Sequence, residues 1–476
     1  MGGTVRAAGS RGGVVARAFA CALVVTAICG RAKANGKFPE AGQLAVAPDD
    51  PAHLALRTTF GLLDSRDGGQ SWHLVCEAAM GYQDYEPAFG LASESTFLLG
   101  LQEGVTRSSD GCVWGPAAGA LADQFVVDLS VSRLDPSLAV AITFDAAQTQ
   151  TMLWRSEDGG ASWVAHGSAL PVGFIGYTLD LAPASPSTIY VSGLTGDPPA
   201  GVMARSVDDG MTWEMLAIPT SNVNDAPFIG GLDPLDDATV YVRLAGQTGR
   251  LLGTFDAGAT WTELFVGRGF MRGFAVAPDG SQILLGGEGD GTWRADVPPK
   301  AEAANADAWQ LEPVSDFVPF CLSWLGNGDV LACGHVFYND GAAVSRSSDA
   351  GATFERLLCF NEIDVALSCR GGGDLTATCA DELASIKNAI PSGSCGAPDP
   401  TTTSSGTGGF GGSAAAGGGA GSGGGRSASN GSDGCSCVTA GRRPGGRGIA
   451  VTLAIIAVLV GRRASGRRGG SFCPSP

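Results

Sequence analysis

The chain has 476 residues and a formal net charge of −17, with 47 acidic against 30 basic side chains, which makes nucleic acid a poor partner. Histidine occurs four times, at His53, His73, His166 and His335, with no metal-ligand spacing between any two, so neither a metal nor another cofactor is expected. Thirteen cysteines point instead to an oxidising compartment.

At the N-terminus Arg6, Arg11 and Arg17 precede an apolar run from Ala18 to Gly30, and Ala32-Lys33-Ala34 offers small residues at both cleavage subsites. This is the pattern of a secretory signal peptide over residues 1–34, cut after Ala34. The run is short for a membrane span. A lipoprotein site fits less well, because Cys29 follows Thr26-Ala27-Ile28.

From residue 38 to 360 one pattern returns. Ser65-Arg66-Asp67-Gly68-Gly69-Gln70-Ser71-Trp72 recurs as Ser156 to Trp163 and Ser206 to Trp213, then in altered form as Thr254 to Trp261 and Ser347 to Phe354. A worn copy, Ser108 to Trp114, is one residue short. The pattern suits a hairpin turn. Asp turns its carboxylate back onto backbone N–H groups of its own turn, and Gly supplies a backbone angle that other residues reach only with strain. The Trp opens the outgoing strand and buries a large apolar face. A calcium loop would need several carboxylates at alternating positions, and each copy has one shared Asp.

The shared residues Asp67, Asp110, Asp158, Asp208, Asp256 and Asp349 are spaced by 43, 48, 50, 48 and 93 positions. The doubled last step implies a lost copy near residue 303. Trp309, 48 residues after Trp261 and 45 before Phe354, stands where its Trp belongs. Seven repeats of about 47 residues follow, the size of a four-stranded propeller blade. Within each repeat an apolar segment, a tight turn such as Asp50-Pro51 or Asp135-Pro136, a second strand, a third strand and the box come in the same order. The expectation is all-β: a seven-bladed β-propeller of four-stranded blades, strands A to D, over residues 38–360. Its sixth blade, Gly273 to Pro313, should be free of both box and helix.

The pattern S-x-D-x-G-x-[ST]-W resembles the Asp-box of sialidases, sortilin-type receptors and related β-propellers. That resemblance implies that the box turns lie on the face away from the ligand-binding face. The D–A connections then carry recognition, and they include Tyr82, Asp84, Tyr85 and Glu86, Phe174 and Tyr177, Asn222, Asn224 and Asp225, Arg268 and Arg272, and Asp316 and Phe317. One residue from each of five connections, Tyr85, Tyr177, Asp225, Arg272 and Asp316, makes the candidate ligand site. Tyr stacks on a ring, Arg forks onto a carboxylate and Asp accepts from hydroxyls.

Cysteines add ties. Cys321 and Cys333 flank the turn Leu325 to Gly328 and are expected to bridge strands A and B of the last blade; Cys76 and Cys112 are expected to pair between the first two blades. Residues 361–396 form a Cys-rich segment in which the pairing of Cys359, Cys369, Cys379 and Cys395 stays open. Thr378 and Asp381 form a capping-box pattern, Leu383, Ile386 and Ile390 recur at helical spacing, and Pro391 ends the run. Residues 397–434 are a Gly/Ser-rich linker.

The remainder, 435–476, holds Cys435 and Cys437, an apolar segment at 448–461 and then Arg462, Arg463, Arg467 and Arg468. Glycine-rich spacer, Gly-Cys, apolar run and arginine cluster together resemble the C-terminal sorting tails of myxobacterial surface proteins. The resemblance implies export, processing at Cys435 or Cys437, a membrane contact through the tail and display at the cell surface. In function the chain resembles Asp-box propellers that bind without catalysis, such as sortilin-like ectodomains and photosystem assembly factors. A glycan or protein ligand on a binding or scaffold module is therefore expected. The alternative is an exo-acting glycoside hydrolase, sialidase-like or xyloglucanase-like, but the F/Y-R-I-P segment of sialidases and the second propeller of xyloglucan hydrolases are missing. A purely structural envelope protein is the third reading.

Overall fold

The structure, a computed structural model, describes residues 38–395 except 84, 94–95, 221–224, 247, 337, 340, 364, 370–374 and 391–394. Ala34, the linker, Cys435, Cys437 and the apolar segment 448–461 lie outside the described residues, as do Asp84, Asn222 and Asn224. No helix among the described residues is long and apolar enough to cross a membrane.

The chain folds into seven antiparallel sheets, each built from four consecutive strands. The third sheet gains a fifth, two-residue strand, Ala118–Gly119, pairing in parallel with its outermost strand. The first strand of each blade lies against the first strands of its neighbours: Ala41–Val46, Ala88–Ser93, Val126–Val131, Ile175–Leu181, Ala226–Leu232, Met271–Val276 and Pro319–Trp324. The circuit closes where the seventh meets the first. These strands wall a central channel. Each pairs with its second strand through one register shift, the bulge that bends it into the ring.

The box turns form because one carboxylate can satisfy a whole turn. Asp67 accepts from the Ser65 hydroxyl and the amides of Gln70 and Ser71, each at 2.9 Å, and from the Ser71 hydroxyl at 2.6 Å. The Ser65 hydroxyl in turn accepts from the Gly69 amide at 2.9 Å. The two residues after the Asp take positive φ, 73° at Gly68 and 93° at Gly69. Asp209, Ala257 and Ala350 accept the same strain in their copies, at φ 60°, 62° and 55°. Trp72, Trp114 and Trp163 each donate their indole N–H to a glycine carbonyl three residues back. A side chain at Gly69, Gly160 or Gly210 would strike Leu357, Leu98 or Leu153 of the preceding blade, so each box also seats its blade on the last one.

The sixth blade lacks the box, as the spacing requires, but it is not free of helix. A single helical turn, Lys300–Ala303, and a 3-10 turn, Ala306–Ala308, replace the hairpin. The reason is the same indole. Trp309 is buried, stacks on Phe255 at 5.7 Å and donates to the Ala303 carbonyl at 2.9 Å, which the end of a helical turn leaves free.

The cysteine pairing departs from expectation in one place. Cys321 and Cys333 face each other across the hairpin of the seventh blade and are bonded. Cys76 and Cys112 do not pair with each other; Cys76 is bonded to Cys379 and Cys112 to Cys369. Both face the segment that follows the seventh blade, which carries Cys379 and Cys369 to them. Cys359 and Cys395 close its two ends. The segment is a strap. It leaves the seventh blade, hydrogen-bonds through Val365 and Leu367 to both backbone groups of Leu74 on the outer edge of the first blade, and touches the second at Cys112. It returns as the helix Leu375–Ala389, which starts three residues before Thr378, so that Thr378 lies inside the helix instead of capping it. Leu375, Cys379, Ile386 and Ile390 join the core shared by the first and seventh blades.

Candidate functional site

The side chains at the entrance where the innermost strands begin form a connected set. Tyr177, third in its strand, stacks on Phe228 of the next blade at 5.6 Å with an interplanar angle of 20°. Arg243, paired across the sheet with Phe228, lies over that ring at 5.1 Å. Arg272 lies over Phe320 of the seventh blade at 4.4 Å. It also meets Glu40, just before the first blade, at 3.6 Å. His335 contacts Glu40 at 3.4 Å and stacks on Phe38 at 5.7 Å. Blades four, five, six, seven and one are thereby linked across the mouth.

The two arginines differ. Arg272 has Glu40 as a partner. Arg243 makes no ion pair among the described residues; beyond the Phe228 ring it has a 3.5 Å hydrogen bond to the Met271 carbonyl. Burial, with the Arg272 charge beside it, pulls the Arg243 guanidinium down to about 10. For Glu40, burial alone would raise the carboxyl, but the hydrogen bond from His335 and the charge of Arg272 outweigh it and hold it low.

Deeper in the channel two carboxyls sit on neighbouring strands. Burial lifts Asp128 to about 7 and Asp180 to about 6. Asp128 is already engaged: its two oxygens accept from the amides of Leu129 at 2.9 Å and of Leu179, in the next blade, at 2.8 Å. Thr178 takes the Ile229 amide of the following blade in the same way, at 2.9 Å. Side chains thus occupy these backbone groups of the channel wall.

Of the five residues read from the sequence, Tyr177 and Arg272 join the mouth. Neither sits in a connection: both lie within innermost strands, which extend further toward the mouth than their apolar segments suggest. Asp225 is buried and ion-paired with Arg250 at 3.5 Å. Tyr85 is half-buried against Tyr82, with its hydroxyl accepting from the Gln102 amide. Asp316 is exposed between the sixth and seventh blades. Arg243, Phe228, Phe320 and Glu40 were not foreseen. The signal for Arg243 was present: it is the lone charge in the strand Val240–Ala245, among residues that otherwise belong in a core. Among the described residues no three His, Cys, Asp or Glu side chains gather as a metal-ligand group.

No protein-family model and no curated protein matches the sequence. Solved structures do. An ancestral GH74 enzyme is 14% identical with a TM-score of 0.44, over 59% of this chain and 39% of that one. The GH74 xyloglucanase from Xanthomonas campestris is 16% identical with a TM-score of 0.41, over 69% of this chain and 61% of that one. YCF48 from Cyanidioschyzon merolae is 14% identical with a TM-score of 0.41, over 62% and 92%. The chain spans less than two thirds of both GH74 proteins.

Proposed function

We propose that the protein is an exported, surface-held binding module that takes a ligand at the mouth of its channel. The observation that carries this reading is the run of Tyr177, Phe228, Arg243, Arg272 and Phe320 around the entrance, where aromatic faces and guanidinium groups converge. The resemblance of the turns to Asp-boxes and of residues 435–476 to a sorting tail supplies the address. In this reading Asp128 serves the channel wall, each of its oxygens holding an amide, and exo-acting hydrolysis is the second reading.

The test is to incubate the purified full-length protein with a panel of glycans and peptides, scoring both retention and released product. Retention without product is expected. Product release would move the protein to the hydrolase class, and retention of nothing on the panel would count against a binding module.

A further inference from the structure

The outer strand of each blade has one edge turned away from its sheet, and the ring protects these edges unequally. The strap pairs with Leu74 on the first, and Ala118–Gly119 pairs with the third. The second and sixth contain Pro116 and Pro313. The fifth begins at Thr262, whose hydroxyl donates to the Ala304 carbonyl, and the seventh runs on into the strap. The outer strand of the fourth blade, Glu214–Ala217, has none of these covers among the described residues. The Ile218 amide donates to the Gly201 carbonyl, which makes Ile218, Leu216 and Glu214 the residues bonded to the neighbouring strand. The N–H and C=O groups of Met215 and Ala217 therefore point outward. Apolar side chains gather at the same corner. Met211 is 52% exposed and Met215 36%, and Val207 and Val164 are exposed as well. The Ser168 hydroxyl donates to the Met211 carbonyl, and Arg155, opposite Val164 in the third blade, is ion-paired with Asp209 of the same box.

We infer that the edge Glu214–Ala217 is an interaction surface for a second copy of this chain, the two strands pairing antiparallel about a two-fold axis at Leu216. In that register Met215 of each copy lies opposite Ala217 of the other, a large side chain against a small one, and the outward N–H and C=O groups of both residues find partners. Other occupants fit less well. The chain's own apolar segment, 448–461, follows Cys395, which is bonded to Cys359 at the seventh blade, across the ring from the fourth. An anionic lipid surface would be repelled by the exposed Glu157, Asp158, Asp208 and Glu214 around the patch. Antiparallel pairing sets the two box turns at opposite ends, so these carboxylates do not meet their own copies. A short edge and a small apolar patch make a weak contact that depends on concentration. Because the edge lies on the outer rim, both channel mouths stay open, and the inference stands apart from any ligand there.

The test is sedimentation and peroxide labelling of the full-length protein in mild detergent at about 1 µM and about 200 µM, concentrations that bracket a weak dimer. Sedimentation should pass from monomer to dimer between them. The oxidation rates of Met211 and Met215 should fall at least about threefold, while Met203, at 0% exposure, reacts slowly at both concentrations. Met215→Lys and Ala217→Arg should each keep the parent's melting curve and stay monomeric. Val266→Lys, on the exposed outer strand of the fifth blade, should dimerise like the parent. A monomer at both concentrations overturns the inference, and so does a dimer that survives both Met215→Lys and Ala217→Arg. If the two methionines are already protected at the lower concentration and lose that protection on deletion of residues 435–476, the occupant is the chain's own tail and the second copy is ruled out.

Discussion

Cys76, the last residue of the outermost strand of the first blade, is bonded to Cys379 in the helix beyond the seventh, 303 residues further along the chain. Every blade takes all four of its strands from one continuous stretch, so among the described residues no strand is exchanged to lock the first blade to the last. The strap performs that role from outside, with three disulfides and a buried helix face.

Removing the tie should therefore open the seam. The double variant Cys76→Ser, Cys379→Ser is expected to lose about 2–4 kcal/mol of stability and to be cut within residues 361–395 at protease levels that spare the parent. An unchanged melting temperature and an unchanged digestion pattern would show that the strap is ornamental.

The two faces of the ring should respond differently to substitution. Asp67→Ala strips the acceptor from the Ser65 and Ser71 hydroxyls and from two amides, and should cost roughly 1–3 kcal/mol without altering ligand binding. Arg272→Ala should leave the melting temperature within a few degrees and weaken binding. Exchange of these outcomes would mean that the ligand sits on the box face.

The pH profile has two limbs of opposite sign. Hydrogen bonds within the turns hold Asp67, Asp110, Asp158, Asp208, Asp256 and Asp349 below the ordinary carboxyl range, in several of them against burial. Their contribution is complete above the unfolded value of about 3.9 and is lost as the pH falls through the lower folded values. Asp128 and Asp180 are shifted upward, so stability declines as the pH rises from about 3.9 toward 7 and 6 respectively. From these groups alone, thermal melts should show a maximum at about pH 4. Asp180→Asn should flatten the decline between pH 4 and 6, and a profile that rises steadily to pH 7 in the parent would contradict the second limb.

Arg243→Met should hold or raise the melting temperature, since it replaces a crowded cation that has no ion-pair partner among the described residues with an apolar side chain of similar length. A loss of more than about 2 kcal/mol would show that the guanidinium is structural.

Deleting residues 435–476 should release the propeller into the medium. Truncated protein that stays at the cell surface would assign retention to another part of the chain.

Blade number and order were legible because the turn chemistry repeats: one Asp, one Gly and one Trp at steady spacing. Even the silent sixth copy showed itself through Trp309. Its helical turn was not legible, because any backbone that presents a carbonyl to the indole would serve. The disulfides were hidden for a different reason. Cys76 and Cys112 are near in sequence, whereas their partners are brought close only by a segment that doubles back across the rim. The mouth was half legible. Tyr177 and Arg272 announce themselves by residue type, but Arg243, on a second strand, becomes visible only when its pairing across the sheet with Phe228 is known.

The bond between Cys76 and Cys379 also imposes an order on synthesis. Cys76 and Cys112 leave the ribosome long before the residues that they finally join, and among the cysteines of the folded ring they are for some 200 residues the only ones available to each other. The first cross-link open to the growing chain is thus one absent from the finished ring. Either the two thiols are kept reduced until the strap arrives, or an early bond between them must be exchanged, and the last segment to be made sets the moment at which the first blade is locked in place.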